Sequence, residues 1–207
     1  GAVQFNSSYA DVSTFMGGVT TAYLQYYNSG GGGANAWATQ LNVKNVENWN
    51  ILAGSAFADL LIVHGSGTTY DGGAGIDTFY ANWSAATNAI TWVNDPTKSA
   101  PVNDITVSGV ERMLVSTGSG NDTIDNSYTG NASNDYIDAG GGTDTIKGGA
   151  GTDIVFGGAG TDTITANTAS AASSSGTIDA GADNDTINVT WGTVDGGADI
   201  DTVNITS

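Results

Sequence analysis

The sequence predicts an all-β fold, a parallel solenoid of short strands that becomes less regular toward the N-terminus. Two features predict it. Units of nine residues with the pattern G-G-x-G-x-D-x-U-x, in which U is a large apolar residue, follow one another without a gap from Gly130 to Thr165. Each unit also joins a glycine-rich turn to a triplet such as T-I-K or T-I-T, and β-branched triplets favour short strands.

The nonapeptide also occurs outside this continuous block. Good matches begin at Gly72, Ala139, Gly148 and Gly157, and looser matches begin at Thr117 and Gly130. The sixth position is Asp and the eighth position is apolar in each of them. Glycine at the first, second and fourth positions permits positive φ angles, so we expect these residues to close tight turns.

The nine-residue unit has the length of half a coil, because it contains one turn and one strand. Two units then make one coil of about 18 residues, and units that are two apart stack on the same edge of the solenoid. The aspartate pairs that this spacing predicts are Asp59 with Asp77, Asp135 with Asp153, and Asp144 with Asp162.

The C-terminal segment has a different repeat length. Residues 176–190 and 192–206 are tandem copies displaced by 16 residues, and Asp183 and Asp199 stand where the nonapeptide has its fourth glycine. Residues 166–175 have lost the aspartate of the repeat. We expect a degenerate turn or a small loop there, not an interdomain linker.

The N-terminal half contains a coarser repeat. Residues 41–61 resemble residues 105–124, with Glu47 in the position of Glu111, and we interpret these two acids as turn braces or as additional ligands. The same alignment places a further glycine-rich turn before residue 1, so we expect the chain to be part of a longer repetitive protein. We divide it into an irregular β section with long loops and a degenerate repeat (1–70), one repeat followed by a strand-loop-strand insertion (71–116), and the regular repeats (117–207), all within one continuous solenoid.

The composition excludes several classes of function. The 207 residues include 21 Asp and Glu against four Lys and Arg, a net charge of −17, which argues against binding to nucleic acid or to anionic membranes. The absence of cysteine excludes disulfides, thiolate metal sites and cysteine nucleophiles. No apolar run approaches the roughly 18 residues of a membrane helix, and the first residues lack the pattern of a signal peptide.

Stacked aspartates require a counter-cation. Neighbouring strands lie about 4.8 Å apart, and two carboxylates at such a distance repel each other by roughly 1 kcal/mol even in water. The repeats offer carboxylate and backbone carbonyl oxygens, with no His or Cys nearby. Hard oxygen donors in a flexible geometry favour Ca²⁺ over Zn²⁺ and Mg²⁺. The sequence therefore predicts several Ca²⁺ ions between successive turns.

The repeats at 72–80, 117–165 and 180–204 resemble the calcium-binding nonapeptides of the RTX (repeats-in-toxin) family of secreted bacterial proteins. The resemblance implies a parallel β-roll in which Gly-Asp turns hold Ca²⁺ through the sixth-position Asp and main-chain carbonyls. The metal ligands considered on this basis are Asp59, Asp77, Asp122, Asp135, Asp144, Asp153, Asp162, Asp185 and Asp201. The turn glycines assigned to the same sites are Gly140, Gly142, Gly149, Gly151, Gly158 and Gly160.

The resemblance also implies a secreted or cell-surface location, because members of the family are typically exported unfolded and fold in extracellular calcium. So acidic and glycine-rich a chain should be disordered without calcium, and binding and folding should then be one event. We expect a structural module and not an enzyme. Its uncapped strand edges favour self-assembly into an S-layer, an extracellular fibre or an adhesin stalk. The alternative is an accessory roll of a secreted polysaccharide-active enzyme or toxin.

Other interpretations of single residues are weaker. A glycosidase pair is not expected, because the aspartates are periodic and none is distinguished from the rest. His64 is the only histidine and lies in a unit that lacks the sixth-position Asp, so we expect no calcium site at that turn. Ice binding would need regular rows of Thr and Asn, and we expect irregular outward positions, as at Thr143, Lys147, Thr152 and Phe156.

The aromatic residues have two interpretations, a surface that stacks on carbohydrate and a set that plugs or covers the solenoid. We prefer the second, because aromatic residues at strand spacing usually pack. The residues concerned are Trp37, Trp49, Trp83, Trp92 and Trp191, with Tyr23, Tyr26 and Tyr27.

Overall fold

The structure is a computed structural model, and it describes residues 3–4, 23–26, 40–42, 51–54, 58–63, 66–128, 132–166 and 176–205. Every regular element in these ranges is a β-strand. No helix within them has the length and apolar character needed to cross a membrane.

Twenty strands make up the described fold, most of them three to five residues long. In chain order they are β1 (Val3–Gln4), β2 (Tyr23–Tyr26), β3 (Gln40–Asn42), β4 (Ile51–Ala53), β5 (Leu60–Ile62), β6 (Thr69–Asp71), β7 (Thr78–Asn82), β8 (Thr91–Val93), β9 (Ala100–Val102), β10 (Ile105–Ser108), β11 (Arg112–Ser116), β12 (Thr123–Asp125), β13 (Tyr136–Asp138), β14 (Thr145–Lys147), β15 (Ile154–Ala159), β16 (Thr163–Ala166), β17 (Thr177–Ala182), β18 (Thr186–Val189), β19 (Thr193–Asp195) and β20 (Thr202–Ile205).

Two parallel sheets dominate the fold. One has seven strands in the order β19-β17-β15-β13-β11-β7-β5, and the other has six in the order β20-β18-β16-β14-β12-β8. From β11 onward, consecutive strands alternate between the two sheets, as expected when each unit is half a coil. The prediction of an all-β parallel roll is confirmed.

The predicted stacking of residues 18 apart is confirmed as well. Tyr136 pairs with Ile154, and Thr145 pairs with Thr163, each in parallel register. The aspartates that precede these strands are separated by 18 residues and are joined by a hydrogen bond between the coils. The nonapeptide spacing therefore sets the register of the coils.

Coils of other lengths join the same two sheets. Thr145 is the partner of Thr123, Thr186 of Thr163, and Thr202 of Thr186. The aspartates preceding these strands are separated by 22, 23 and 16 residues respectively. The strands keep their parallel register although the coils differ in length. Residues 167–175 lie outside the described residues, but β15 and β17 pair directly, in agreement with a loop between repeats.

The N-terminal part is less regular, as predicted. Strands β1, β2 and β3 form an antiparallel sheet. A second small sheet has the order β4-β6-β10-β9, in which β9 and β10 form an antiparallel hairpin. Asn103 and Asp104 close this hairpin with φ angles of 42° and 65°, a conformation that Asn and Asp tolerate in tight hairpin turns.

The core is a double column of apolar side chains between the two large sheets. The eighth residue of each unit points inward and is at most 1% exposed, because side chains alternate between the two faces of a strand. Burying each such side chain contributes about 1.5–3 kcal/mol. These inward residues are Phe79, Ile124, Ile137, Ile146, Val155 and Ile164, continued by Ile178 and Ile187 in the C-terminal coils.

Aromatic residues fill the wider N-terminal part of this core. Trp92 is fully buried, and its ring centroid lies 5.0 Å from that of Phe79 and 6.3 Å from that of Trp83. Tyr70 packs edge-on against Phe79 at 5.5 Å. The packing interpretation therefore holds for Trp83 and Trp92. Trp191 is 44% exposed, whereas Trp37, Trp49 and Tyr27 lie outside the described residues.

The outer face of the six-stranded sheet corrects one expectation. In the strands of this sheet, the residue before the inward apolar residue is Thr, and the strand register aligns these residues in one continuous row: Thr91, Thr123, Thr145, Thr163, Thr186 and Thr202. The expectation that no regular outward row exists is wrong for this position, which faces outward because the eighth residue faces inward. The ninth-position row is mixed, as expected: Val93, Asp125, Lys147, Thr165, Asn188 and Asn204.

Candidate metal centre in the Gly-Asp turns

Each sixth-position aspartate lies immediately before a strand and is withdrawn from solvent. Eight of the nine predicted aspartate ligands are at most 3% exposed: Asp59, Asp77, Asp122, Asp135, Asp144, Asp153, Asp162 and Asp185. The ninth, Asp201, precedes β20 and is half-buried. Buried carboxylates are costly unless they are paired or bind a cation.

The aspartates on the edge that leads into the six-stranded sheet are joined from coil to coil by hydrogen bonds. The backbone N–H of Asp122 donates to Oδ1 of Asp144 (2.6 Å), and that of Asp144 donates to Oδ1 of Asp162 (2.8 Å). The series continues from Asp162 to Asp185 (2.7 Å) and from Asp185 to Asp201 (3.0 Å). We call this set and its counterpart on the other edge the aspartate ladder.

The other edge, which leads into the seven-stranded sheet, repeats the pattern. The N–H of Asp59 donates to Oδ1 of Asp77 (2.7 Å), and the N–H of Asp135 donates to Oδ1 of Asp153 (3.1 Å). Between these pairs, Oε2 of Glu111 accepts a hydrogen bond from the N–H of Asp77 (2.8 Å). Glu111 therefore braces the turn in place of an aspartate, one of the two roles expected for it, whereas Glu47 lies outside the described residues.

The second carboxylate oxygen distinguishes most members of the ladder. Within the described residues, Oδ2 is buried and has no hydrogen-bond partner in Asp77, Asp122, Asp144, Asp162 and Asp185. Leaving a buried acceptor unsatisfied costs about 1–3 kcal/mol, and more for a charged group. Each of these aspartates thus uses one oxygen for the fold and leaves the other for a ligand.

The electrostatics of the ladder favour a bound cation. Burial, with a smaller contribution from the neighbouring carboxylates of Asp162 and Asp122, raises the pKa of Asp144 to about 7. Burial likewise raises the pKa of Asp77 to about 7. The lysines of the described residues lie elsewhere, because Lys98 pairs with Asp95 and Lys147 pairs with Asp125 on the surface. A cation in the turns would relieve the repulsion between these carboxylates.

The turn glycines have the conformations that were predicted for the second and fourth positions. The six predicted residues all have positive φ angles: Gly140 (86°), Gly142 (120°), Gly149 (85°), Gly151 (149°), Gly158 (109°) and Gly160 (111°). They also lack space for a side chain. A Cβ on Gly158 would overlap the carbonyl oxygen of Gly140, and a Cβ on Gly160 would overlap that of Gly142.

The first-position glycines serve a different purpose from the one expected. Gly148 and Gly157 are not among the residues with positive φ, so the expectation of a left-handed turn is wrong for them. A Cβ on Gly157 would lie 2.6 Å from Oδ2 of Asp162, and one on Gly148 would lie 2.9 Å from Oδ2 of Asp153. Glycine at this position keeps a space beside the carboxylate.

The 16-residue coils keep the turn geometry although they lack the fourth glycine. Asp183 and Asp199 occupy that position with φ angles of 79° and 76°. The hydrogen bond from the N–H of Asp185 to Asp201 extends the ladder across this repeat. On the edge that leads into the six-stranded sheet, the change in coil length therefore does not interrupt the ladder.

The turn before β6 lacks the sixth-position carboxylate, as the sequence predicts. Thr68 precedes β6 in the position that Asp77 holds before β7, and it is 1% exposed. His64, in the same unit, lies outside the described residues.

The donor set fits calcium better than a transition metal. In the described residues, no three His, Cys, Asp or Glu side chains converge as a metal-binding group. A cation would therefore be held by one or two carboxylates together with backbone carbonyls of the glycine turns. Calcium accepts six to eight oxygen ligands of these kinds at flexible geometry. The residues that fit this role best are those with an unbonded buried oxygen: Asp77, Asp122, Asp144, Asp162 and Asp185.

Comparison with known proteins agrees with this geometry. Residues 129–164 match the family model of the RTX calcium-binding nonapeptide repeat (4 copies). The match covers almost all of the four consecutive units that begin at Gly130. Comparisons with curated proteins and with solved structures gave no match. By this match and by its fold, the chain carries RTX calcium-binding nonapeptide repeats folded as a parallel β-roll.

Proposed function

We propose that the chain is a calcium-binding structural module of a secreted or cell-surface bacterial protein, and that it folds when calcium binds and then assembles with other copies. Its role is structural: it is a folding and spacing module of the larger protein and does not catalyse a reaction. The observation that carries the proposal is the aspartate ladder, whose buried oxygens have no protein partner at Asp122, Asp144 and Asp162.

The ladder makes folding dependent on a cation. Its carboxylates are stacked from coil to coil and are shielded from water, so their mutual repulsion exceeds the roughly 1 kcal/mol per pair expected in bulk water. Bound calcium would supply positive charge and a partner for the unbonded oxygens. The glycines of the turns have no side chains to contribute to the core, so without calcium the apolar column alone must offset the entropy of the unfolded chain and the repulsion between carboxylates. We therefore expect binding and folding to occur together.

Extracellular calcium suits such a module. Sites built from few carboxylates and many carbonyls bind calcium in the range of about 10⁻⁴ to 10⁻³ M. Calcium reaches this concentration outside cells, so the roll would fold after export. This argument supports a secreted or cell-surface location.

The proposed assembly involves the outermost coil that the structure describes. Strands β19 and β20 are the outermost strands of their sheets, and each pairs on one side only among the described residues. Ile200 and Ile205 are 81% and 80% exposed there. Unpaired strand edges beside apolar side chains favour pairing with another chain, here the corresponding edge region of a second copy.

A calcium titration tests the proposal. Circular dichroism and light scattering would be followed as calcium is raised into the millimolar range, with magnesium as the control. We expect strand content to appear with calcium, to disappear with chelator and to be followed by association. Strand structure that is indifferent to chelator would overturn the calcium-dependent role. Folding without association would favour the alternative, an accessory roll of a larger secreted enzyme or toxin.

A further inference from the structure

The turn before β13 satisfies its carboxylate differently from the turns before β14 and β16. Oδ1 of Asp135 accepts a hydrogen bond from the backbone N–H of Met113 at 2.8 Å, as the ladder requires. Its Oδ2 accepts a second hydrogen bond, from Nδ2 of Asn126 at 2.8 Å. The corresponding Oδ2 atoms of Asp144 and Asp162 have no such partner.

A serine reinforces this difference. Ser133 stands at the fourth position of its unit, where the next three units have glycine, and it is buried. Its Oγ lies 3.0 Å from Oδ1 and 3.2 Å from Oδ2 of Asp135, and 2.8 Å from the carbonyl oxygen of Glu111. The Ser133 hydroxyl thus occupies space beside the carboxylate and can donate a hydrogen bond to Asp135 or to the carbonyl oxygen of Glu111.

The amide of Asn126 is held in place by its own partners. Asn126 is 1% exposed, and its Oδ1 accepts a hydrogen bond from Nδ2 of Asn94 at 2.8 Å. Its Nδ2 also donates to the carbonyl oxygen of Glu111 at 2.9 Å. Both N–H groups of this amide are therefore used, one on Glu111 and one on Asp135. A fully satisfied buried network of this kind is rigid.

The charged groups around the two carboxylates also favour a bound cation at Asp144 more than at Asp135. Burial raises the pKa of both Asp135 and Asp144. The charged neighbour of Asp135 is the guanidinium of Arg112, which lowers the pKa of that carboxyl. The charged neighbours of Asp144 are the carboxylates of Asp162 and Asp122, which raise its pKa. The turn at Asp135 thus has a protein cation nearby.

We propose that Asp135 is not a calcium ligand, although it occupies the ligand position of its repeat, because Asn126 and Ser133 fill the carboxylate oxygen that is unbonded at Asp144 and Asp162. The inference rests on the proposed calcium-binding function and specifies which carboxylates serve it. This turn is then closed by protein groups, and it lies at the junction between the aromatic N-terminal core and the regular repeats.

Counting bound calcium ions tests the inference. Equilibrium dialysis with radioactive calcium at saturating concentration would compare the full chain with Asp135→Asn and Asp144→Asn, after circular dichroism in calcium has confirmed that each is folded. We expect Asp135→Asn to bind as many ions as the unaltered chain and Asp144→Asn to bind fewer. An equal loss in both variants would overturn the inference, while an unaltered chain that binds no calcium would overturn the proposed function itself.

The reverse substitution provides a second test if Asp135→Asn fails to fold. Asn126→Asp places a second carboxylate against Asp135 and removes the donor that fills it, so we expect a gain of one calcium ion. Asn121→Asp is the matched control. Asn121 is exposed, and its Oδ1 accepts a hydrogen bond from the N–H of Thr143. A gain in the control but not in Asn126→Asp, or no gain in either, would contradict the inference.

Discussion

The backbone N–H of Asp144 donates a hydrogen bond of 2.8 Å to Oδ1 of Asp162, a residue 18 positions further along the chain. The other oxygen of the Asp162 carboxylate is buried and has no hydrogen-bond partner. One carboxylate therefore holds two coils in register with one oxygen and presents the other to a cation. Because Asp122 and Asp144 repeat the relationship, folding and cation binding share the same side chains.

Asp162→Asn separates these two tasks. The amide oxygen can still accept the hydrogen bond from Asp144, but the buried charge and one candidate ligand are lost. We expect the calcium concentration at the folding midpoint, measured by circular dichroism, to rise by about tenfold, which corresponds to about 1.4 kcal/mol. In chelator, any residual structure should be at least as stable as in the unaltered chain, because an unpaired buried carboxylate is costly.

Asp179→Asn is the control for that experiment. Asp179 lies on the outward face of β17, adjacent to the inward Ile178, so its charge is outside the ladder. Its substitution should leave the calcium midpoint nearly unchanged. Equal shifts in the two variants would mean that net charge, and not the ladder, governs the response.

Gly158→Ala should destabilise the calcium-loaded roll. The φ angle of Gly158 is 109°, and an added Cβ would overlap the carbonyl oxygen of Gly140 in the preceding coil. We expect a loss of about 2–4 kcal/mol in the free energy of unfolding by urea, as for other combinations of backbone strain and overpacking. Gly141→Ala is the control, since its Cβ would meet the nearest atom, the carbonyl oxygen of Ala159, at 3.6 Å. Similar losses in both would show that the coils can separate to admit a side chain.

Substitutions at Asp183 distinguish backbone strain from charge. Asp183 has a φ angle of 79°, and its carboxylate raises the pKa of both Asp162 and Asp185 after the larger effect of burial. Asp183→Asn keeps a residue that tolerates this conformation, whereas Asp183→Ala does not. We expect urea unfolding in calcium to show Asp183→Ala about 1 kcal/mol less stable than Asp183→Asn. Equal stabilities would mean that the left-handed conformation imposes no cost here.

Protonation of the ladder should lower the calcium concentration that folding requires. Burial raises the pKa of Asp77 and Asp144 from 3.8 to about 7, so the calcium-free folded state binds more protons than the unfolded chain. Its stability is greatest below about pH 4 and is lost as the pH rises through about 7. Protons therefore favour folding as calcium does, so the calcium concentration needed for folding should rise as the pH rises from about 4 toward 7. Circular dichroism titrations across this range measure both trends, and a calcium midpoint that is independent of pH would contradict them.

Ile205→Asp should weaken assembly. Ile205 is 80% exposed on β20, and a carboxylate there would repel the acidic edge of a second copy. We expect light scattering in calcium to show less association, with unchanged strand content. Val93→Asp is the control, because Val93 is 56% exposed on β8, at the other end of the same sheet. Loss of association in both variants would assign the effect to net charge.

The regular repeats were the part of the fold that could be predicted most directly. The pairings of Asp135 with Asp153 and of Asp144 with Asp162 follow from an 18-residue coil and are present. The contact that Glu111 makes could not be predicted from the repeat spacing. It braces the turn for Asp77, which lies 34 residues away, and no nonapeptide spacing connects them. The signal available was the position of Glu111 directly before a strand, which left its role open.

The sequence by itself determined the repeat length, the inward column of apolar residues, the turn glycines and the chemistry of the ligands, because each depends on residues within one or two units. Only the tertiary structure decided which carboxylate oxygens are already bonded. Asp135 and Asp144 occupy the same position of the repeat. Asn126 and Ser133 contact Oδ2 of Asp135, whereas Oδ2 of Asp144 has no hydrogen-bond partner. The physical reason is that hydrogen bonding depends on distances of about 3 Å between groups from different coils, and those distances are set by turns whose lengths vary along the chain.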